Sequence, residues 1–224
     1  MAEQLMKVQG TIVQPREVRM PLTVGTLLAR MSAHFPREDG EPWDAYGLSV
    51  GDERAQIDRV AVALDATRAS VSRAAEAGAN VLVTHHPVFL DPPECISPGS
   101  ALPGSGSVLW EAATRGVAVM SFHTALDAQP AATKVLPDML GLVSGAVFKP
   151  LAGSSDKGYG RICTLREDDP LTLGTLAARC NALFARPPRV WGDFATPLAR
   201  VVTWPGSLGQ AVEQADIDGL DAIV

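Results

Sequence analysis

Cysteine and histidine are scarce in this chain of 224 residues, and there is no basic cluster and no long apolar run. Each shortage excludes something. The three cysteines, Cys95, Cys163 and Cys180, are odd in number, widely spaced and never arranged as Cys-x-x-Cys. That argues against a disulfide framework and against a closed structural zinc site built on thiolates, and fits reduced thiols in a cytoplasmic protein. No apolar run reaches the roughly 18 residues needed to span a bilayer, and the first residues lack the continuous apolar core of a signal peptide. No membrane partner is therefore expected, and the expected location is cytoplasmic. The formal net charge is −6. Without a concentrated positive face the chain is not expected to bind nucleic acid along its backbone. A His-x-His near the start, which a polymerase-type phosphoesterase would need, is also missing. What is present is 46% hydrophobic residues, enough to bury a sizeable core in one large or two small domains.

Only four histidines occur, and three of them fall in two copies of one local pattern. Gly78-Ala79-Asn80-Val81-Leu82-Val83-Thr84-His85-His86 places a histidine seven residues after a glycine. Gly116-Val117-Ala118-Val119-Met120-Ser121-Phe122-His123 does the same, and Asp127 follows four residues later. In each copy an alanine-rich helical run ends at the glycine, the usual left-handed helix stop. A short apolar run bounded by turn signals follows and reads as a buried strand. If the two strands are parallel neighbours, their carboxyl ends lie together, where open α/β sheets bind ligands. His85, His86, His123 and Asp127 would then converge on one edge. Neighbouring residues on a regular strand face opposite ways, so His85 and His86 share a site only if the backbone bends. Pro87, which lacks an N–H for the ladder, supplies the bend. Imidazole with carboxylate suits Zn, Fe, Mn or Ni.

Along the chain, residues 1–19 read as an N-terminal extension, and Thr23 is placed to cap a helix over 24–32. His34, at the end of that helix, reads as a partner for its C-terminal dipole. The stretch Glu41–Gly51 reads as a loop, either a packed Ω-type loop anchored by Trp43 and Leu48, or one in which Asp44 orients a ligand histidine. A βαβ unit is expected from a strand at 57–64, a helix at 68–77 and a strand at 80–84, with Asp65 serving as a cap or as a site residue. Residues 88–106, rich in proline and glycine, are predicted to be a surface loop that covers the site. A helix at 107–114, a strand at 117–122 and a helix at 131–140 follow. The composition changes near 150, so residues 20–150 read as a first α/β lobe and 151–224 as a second. In the second lobe, strands are predicted at 159–165, 189–190 and 198–203, and helices at 171–183 and 210–217. Gly219 with Leu220–Val224 is a third glycine-then-strand copy, and the second lobe is expected to be cut short there.

Several stretches occur in one order: Trp43-Asp44 with Gly47-Leu48, Leu64-Asp65, Thr84-His85-His86-Pro87, His123-Thr124-Ala125-Leu126-Asp127, Leu140-Gly141-Leu142, and Gly158-Tyr159-Gly160-Arg161. In this the chain resembles the Nif-three-like dinuclear-metal family, often labelled type 2 GTP cyclohydrolase homologs, from about Pro21 to Val224. The resemblance implies an α/β fold of two similar intertwined lobes with ligand residues at the carboxyl ends of sheet strands, and a ring-shaped homohexamer. It also implies two divalent metal ions per subunit, with His85, His86 and Asp127 as ligands and His123 either lining the site or standing behind the ligands. The family completes its site with a Gly-His-x-x-x-Glu segment that this sequence does not contain; Asp91 or Glu94 is the candidate replacement carboxylate. Two functions are expected from different classes. One is a metal-dependent hydrolase, GTP cyclohydrolase-like, acting on a nucleotide or phosphorylated small molecule, with His123 as catalytic acid or base. The other is a non-catalytic metal-binding scaffold or regulatory oligomer, since three ligands can hold one ion with open positions.

Overall fold

The computed structural model describes residues 22–98, 104–208 and 217–224. The expected extension at 1–19 and the helix expected at 210–217 fall wholly or almost wholly outside them. Thr23 caps α1 (Val24–His34) through a reciprocal pair: Thr26 N–H donates to Thr23 Oγ1 at 3.2 Å and Thr23 N–H to Thr26 Oγ1 at 2.9 Å. This satisfies two groups that a helix start leaves open. His34 is the last residue of α1, as expected of a dipole partner.

The first sheet holds β1 (Gly47–Val50), β2 (Val60–Ala63), β3 (Val81–Thr84) and β4 (Ala118–Ser121) in the order β1-β4-β3-β2. β2, β3 and β4 run parallel, joined by α2 (Arg68–Glu76) and α3 (Ser105–Arg115), while β1 is antiparallel to β4. The sheet is apolar on both faces because helices cover both. Leu82 and Val119 pack with Val71, Val108 and Ala112 of α2 and α3. On the other face Val81, Ala118 and Met120 pack against Val24, Leu27 and Leu28 of α1. β3 and β4 are in register from Val81↔Ala118 to Thr84↔Ser121, so their carboxyl ends stop side by side.

Two expectations are corrected here. α3 begins at Ser105, so the loop after His86 is shorter than the predicted 88–106. Gly104, in extended backbone, serves as the N-cap, and the proline run has already ended. The stretch Glu41–Gly51, read as a loop, contributes β1 at Gly47–Val50, where its backbone finds a partner in β4, and His123–Asp127 forms a one-turn helix, α4. α5 (Pro130–Leu140) follows, with proline at its first position and left-handed Gly141 closing it.

The second sheet takes β5 (Val143–Pro150), β6 (Gly158–Thr164), β7 (Arg200–Thr203) and β8 (Ala222–Ile223), in that order. The change of sheet thus falls just before Val143, ahead of the change in composition near 150. α6 (Leu173–Phe184) and α5 cover this sheet, with Leu140, Cys163, Leu176 and Val201 in its core. No strand forms at Arg189–Val190; Pro187 and Pro188 precede the pair and Gly192 follows shortly after, leaving too little chain to build a ladder. The glycine-then-strand reading at the end holds: β8 pairs parallel with β7.

Among the described residues each sheet is built of consecutive strands, and contacts join the two units. Gly158 N–H donates to Ala128 O at 2.9 Å, and Lys157 Nζ meets the buried Asp39 carboxylate at 2.6 Å. No helix among the described residues is long and apolar enough to cross a membrane.

Candidate metal centre

β3 stops at Thr84, and the backbone bends through His85 and His86. Thr84 Oγ1 donates to His86 O at 2.8 Å and fixes that bend, while His85 N–H and His86 N–H still donate to Ala63 O and Leu64 O at the carboxyl end of β2. The two rings therefore come to one side, with centroids 4.9 Å apart. From the end of β4, Phe122 is buried against Phe35 and Tyr46 and delivers the next residue, His123, to the same place. The His123 ring lies 5.1 Å from that of His85 and 5.4 Å from that of His86. One candidate ligand atom from each of the three imidazoles lies within 4.8 Å of the others. Asp127, one helical turn beyond His123, brings Oδ2 to 3.6 Å from His85 Nε2. All four residues singled out in the sequence are thus brought together. Asp91, Glu94 and Cys95 are exposed on the loop and are not part of the group.

Two carboxylates stand behind the imidazoles. Asp65 Oδ1 is 2.7 Å from His86 Nδ1, and Asp44 Oδ1 is 2.9 Å from His123 Nδ1. Asp65 was readable as a helix cap, but Thr67 caps α2, and the Asp65 side chain belongs to the site. Asp44 is the more firmly held. Its Oδ2 accepts from both the N–H and the hydroxyl of Thr124 in a buried setting. Asp44 thus orients a site histidine, the second of the two readings of this loop, and Trp43, an anchor in the packed-loop reading, is exposed with its ring edge-on to His123. Thr124 was missed altogether; the only signal was its place inside His-Thr-x-x-Asp.

The electrostatics follow from this packing. Burial lowers the pKa of His85, against the pull of the Asp127 carboxylate. Burial raises that of Asp127, against the nearby imidazoles. Both groups are therefore pushed towards their neutral forms, and they face each other without a hydrogen bond. The hydrogen bond to Asp44 raises His123, outweighing burial. Burial alone would raise Asp44, but the hydrogen bonds from His123 and Thr124 together hold its carboxyl below the ordinary value.

The donor set fits a divalent ion. With Nδ1 of His86 and His123 engaged by carboxylates, Nε2 of each is left to face the cluster, for His86 the usual arrangement of a ligating histidine. Two donors each about 2.1 Å from one ion at a tetrahedral angle stand about 3.4 Å apart, close to the 3.6 Å between His85 and Asp127. The 4.8 Å span of the imidazoles exceeds the roughly 4.2 Å reachable across one ion. It suits two neighbouring ions, or one tetrahedral ion after the donor atoms close by about 1.4 Å.

The sequence pattern of the Duf34/NIF3 (NGG1p interacting factor 3) family matches residues 22–224. The chain belongs to the Duf34/NIF3 family. A GTP cyclohydrolase 1 type 2 homolog of Streptomyces coelicolor is 30% identical over 204 residues, covering 88% of this chain and 70% of that protein. A protein of the same description from Clostridium acetobutylicum is 28% identical, covering 92% and 76%. Among solved structures, Staphylococcus aureus protein SA1388 superposes with a TM-score of 0.75 at 22% identity, covering 91% of this chain and 79% of its own. A Bacillus cereus protein related to NIF3 gives 0.77 at 17% identity, covering 91% and 82%. At these identities the two structures speak for the Duf34/NIF3 fold alone.

In this Duf34/NIF3 protein Asp65→Asn, which removes the partner of His86 Nδ1, is expected to weaken binding of Zn or Mn roughly 10–100-fold, the usual cost of losing an outer partner of a ligating histidine, as read by calorimetric titration. In the metal-free protein the raised His123 pKa adds stability below the ordinary histidine value, and this is lost as pH rises through the raised one. The depressed Asp44 pKa adds stability above the ordinary aspartate value, lost as pH falls through the depressed one. The difference in Tm between wild type and Asp44→Asn should therefore be largest near pH 5–6 and should narrow on either side.

Proposed function

We propose that the chain is a divalent-metal-binding protein that acts as a hydrolase, GTP cyclohydrolase-like, on a nucleotide or phosphorylated small molecule. The observation that carries this reading is the convergence of His85, His86 and His123, two of them backed by carboxylates, beside Asp127. A divalent ion held there would supply Lewis acidity and activate water near neutral pH. The protein's own part is orientation and proton handling. His85, His86 and Asp127 are the ligands. Asp65 sets the ring of His86. Asp44 holds the proton on His123 Nδ1, which leaves Nε2 facing the cluster to take or give a proton as general acid or base. Zn, Fe, Mn and Ni all suit such donors. Self-association into a hexamer in the cytoplasm belongs to the same reading.

The test is elemental analysis of the purified chain for stoichiometry per subunit, run alongside turnover with GTP and with phosphoester substrates. Metal with turnover is the expected result. Metal without turnover would leave the non-catalytic scaffold, and a protein that holds no metal would reject both.

A further inference from the structure

Trp43 takes no part in the chemistry above, yet it stands beside it. Its indole is 57% exposed and meets the His123 ring edge-on, with centroids 6.0 Å apart and 71° between the planes. The loop that carries it is firmly pinned. The Arg37 guanidinium donates to the carbonyls of Glu41, Pro42 and Asp44 at 2.9, 3.3 and 3.1 Å, and it lies over the Tyr46 ring. Glu41 N–H donates to Thr124 Oγ1 at 3.0 Å, and Asp44 N–H to Glu41 O at 3.1 Å. Asp44, the very next residue, is clamped inward on His123 and Thr124. A side chain between neighbours fixed in this way has its direction set by the loop. Burying a tryptophan is among the largest gains open to any side chain. Holding one in water at the rim of an imidazole cluster forgoes that gain until something flat covers the ring.

We propose that Trp43 is the stacking wall of a ligand subsite, and that the ligand is a planar heteroaromatic ring carrying an anionic group. The ring lies on the exposed indole, and the anionic part reaches the cluster of His85, His86, His123 and Asp127. This rests on the metal-dependent reading above and narrows its substrate class to nucleotide-like molecules rather than aliphatic phosphates. Stacking tolerates many rings because each has a π-face, so Trp43 contributes affinity without choosing the base.

The test is calorimetric titration of metal-loaded wild type, Trp43→Ala and Trp43→Phe with GTP and with inorganic tripolyphosphate, with metal content measured in each. Trp43→Ala is expected to weaken GTP binding roughly tenfold or more. Tripolyphosphate binding and metal content should stay at wild-type levels, and Trp43→Phe should lie within a few-fold of wild type for GTP. Unchanged GTP binding in Trp43→Ala overturns the proposal. So does an equal loss of both probes with a fall in metal content, which would make Trp43 only a support for His123. Wild type that takes tripolyphosphate but not GTP overturns the stacking while leaving a metal site in place. Wild type that holds no metal overturns the reading beneath it.

Discussion

His85→Ala is expected to abolish stable ion binding while leaving the fold intact. The side chain supplies one of three converging imidazoles and faces the Asp127 carboxylate at 3.6 Å, so its loss removes a donor outright. The drop in affinity should exceed the roughly 10–100-fold that follows loss of an outer partner. The same residue contributes little to folding. It belongs to none of the apolar core clusters, and its N–H···O=C bond to Ala63 is main-chain and survives the substitution. A non-core change of this kind costs within about 0.5 kcal/mol. Thermal unfolding of metal-free samples should therefore nearly coincide. Adding metal at 100 times Kd should stabilise wild type by about 2.7 kcal/mol and the variant hardly at all. Asp127→Ala should behave the same way, and metal content unchanged in both variants would remove the basis for the site.

Phe122→Ala is expected to cost about 3–5 kcal/mol, a loss of roughly 10 °C in Tm for a chain of this size. Phe122 is 1% exposed and among the largest fully buried side chains, with the rings of Phe35 and Tyr46 at 5.9 and 5.2 Å. The cavity would open directly behind His123, the next residue along the chain. Weaker metal binding should therefore accompany the loss of stability, in contrast to His85→Ala. A variant that unfolds within a degree or two of wild type would contradict the packing described for this face of the first sheet.

The first sheet was legible in the sequence because its signals are local. Gly78 and Gly116 end helices, the Val-rich runs after them are short, and Pro87 breaks the strand where two imidazoles must turn to one side. Once β3 and β4 are parallel neighbours, a spacing of seven residues from each glycine delivers the histidines to the same edge. The partners behind the histidines were not legible in the same way. Asp44 lies 79 residues from His123 in sequence, and nothing in the pattern around Trp43 chooses between a packed loop and a carboxylate aimed at a distant ring. Asp65 follows a strand and precedes a helix, where a cap is the ordinary outcome, and only the position of His86 shows otherwise. The packed-loop reading buries Trp43 because hydrophobicity favours the core, whereas the carbonyls held by Arg37 set the path of the loop. Between Pro188 and Gly192, Val190 and Trp191 carry β propensity without a partner strand.

The one-turn helix α4 sets a length rule on the site. His123 opens it and Asp127 closes it, so the two share a face only because four residues make slightly more than one turn. Inserting or deleting a single residue between them would swing the carboxylate by about 100° around the helix axis, away from His85. The interval therefore works as a ruler: the side chains of Ala125 and Leu126 can change within their packing, but the count between the imidazole and the acid cannot.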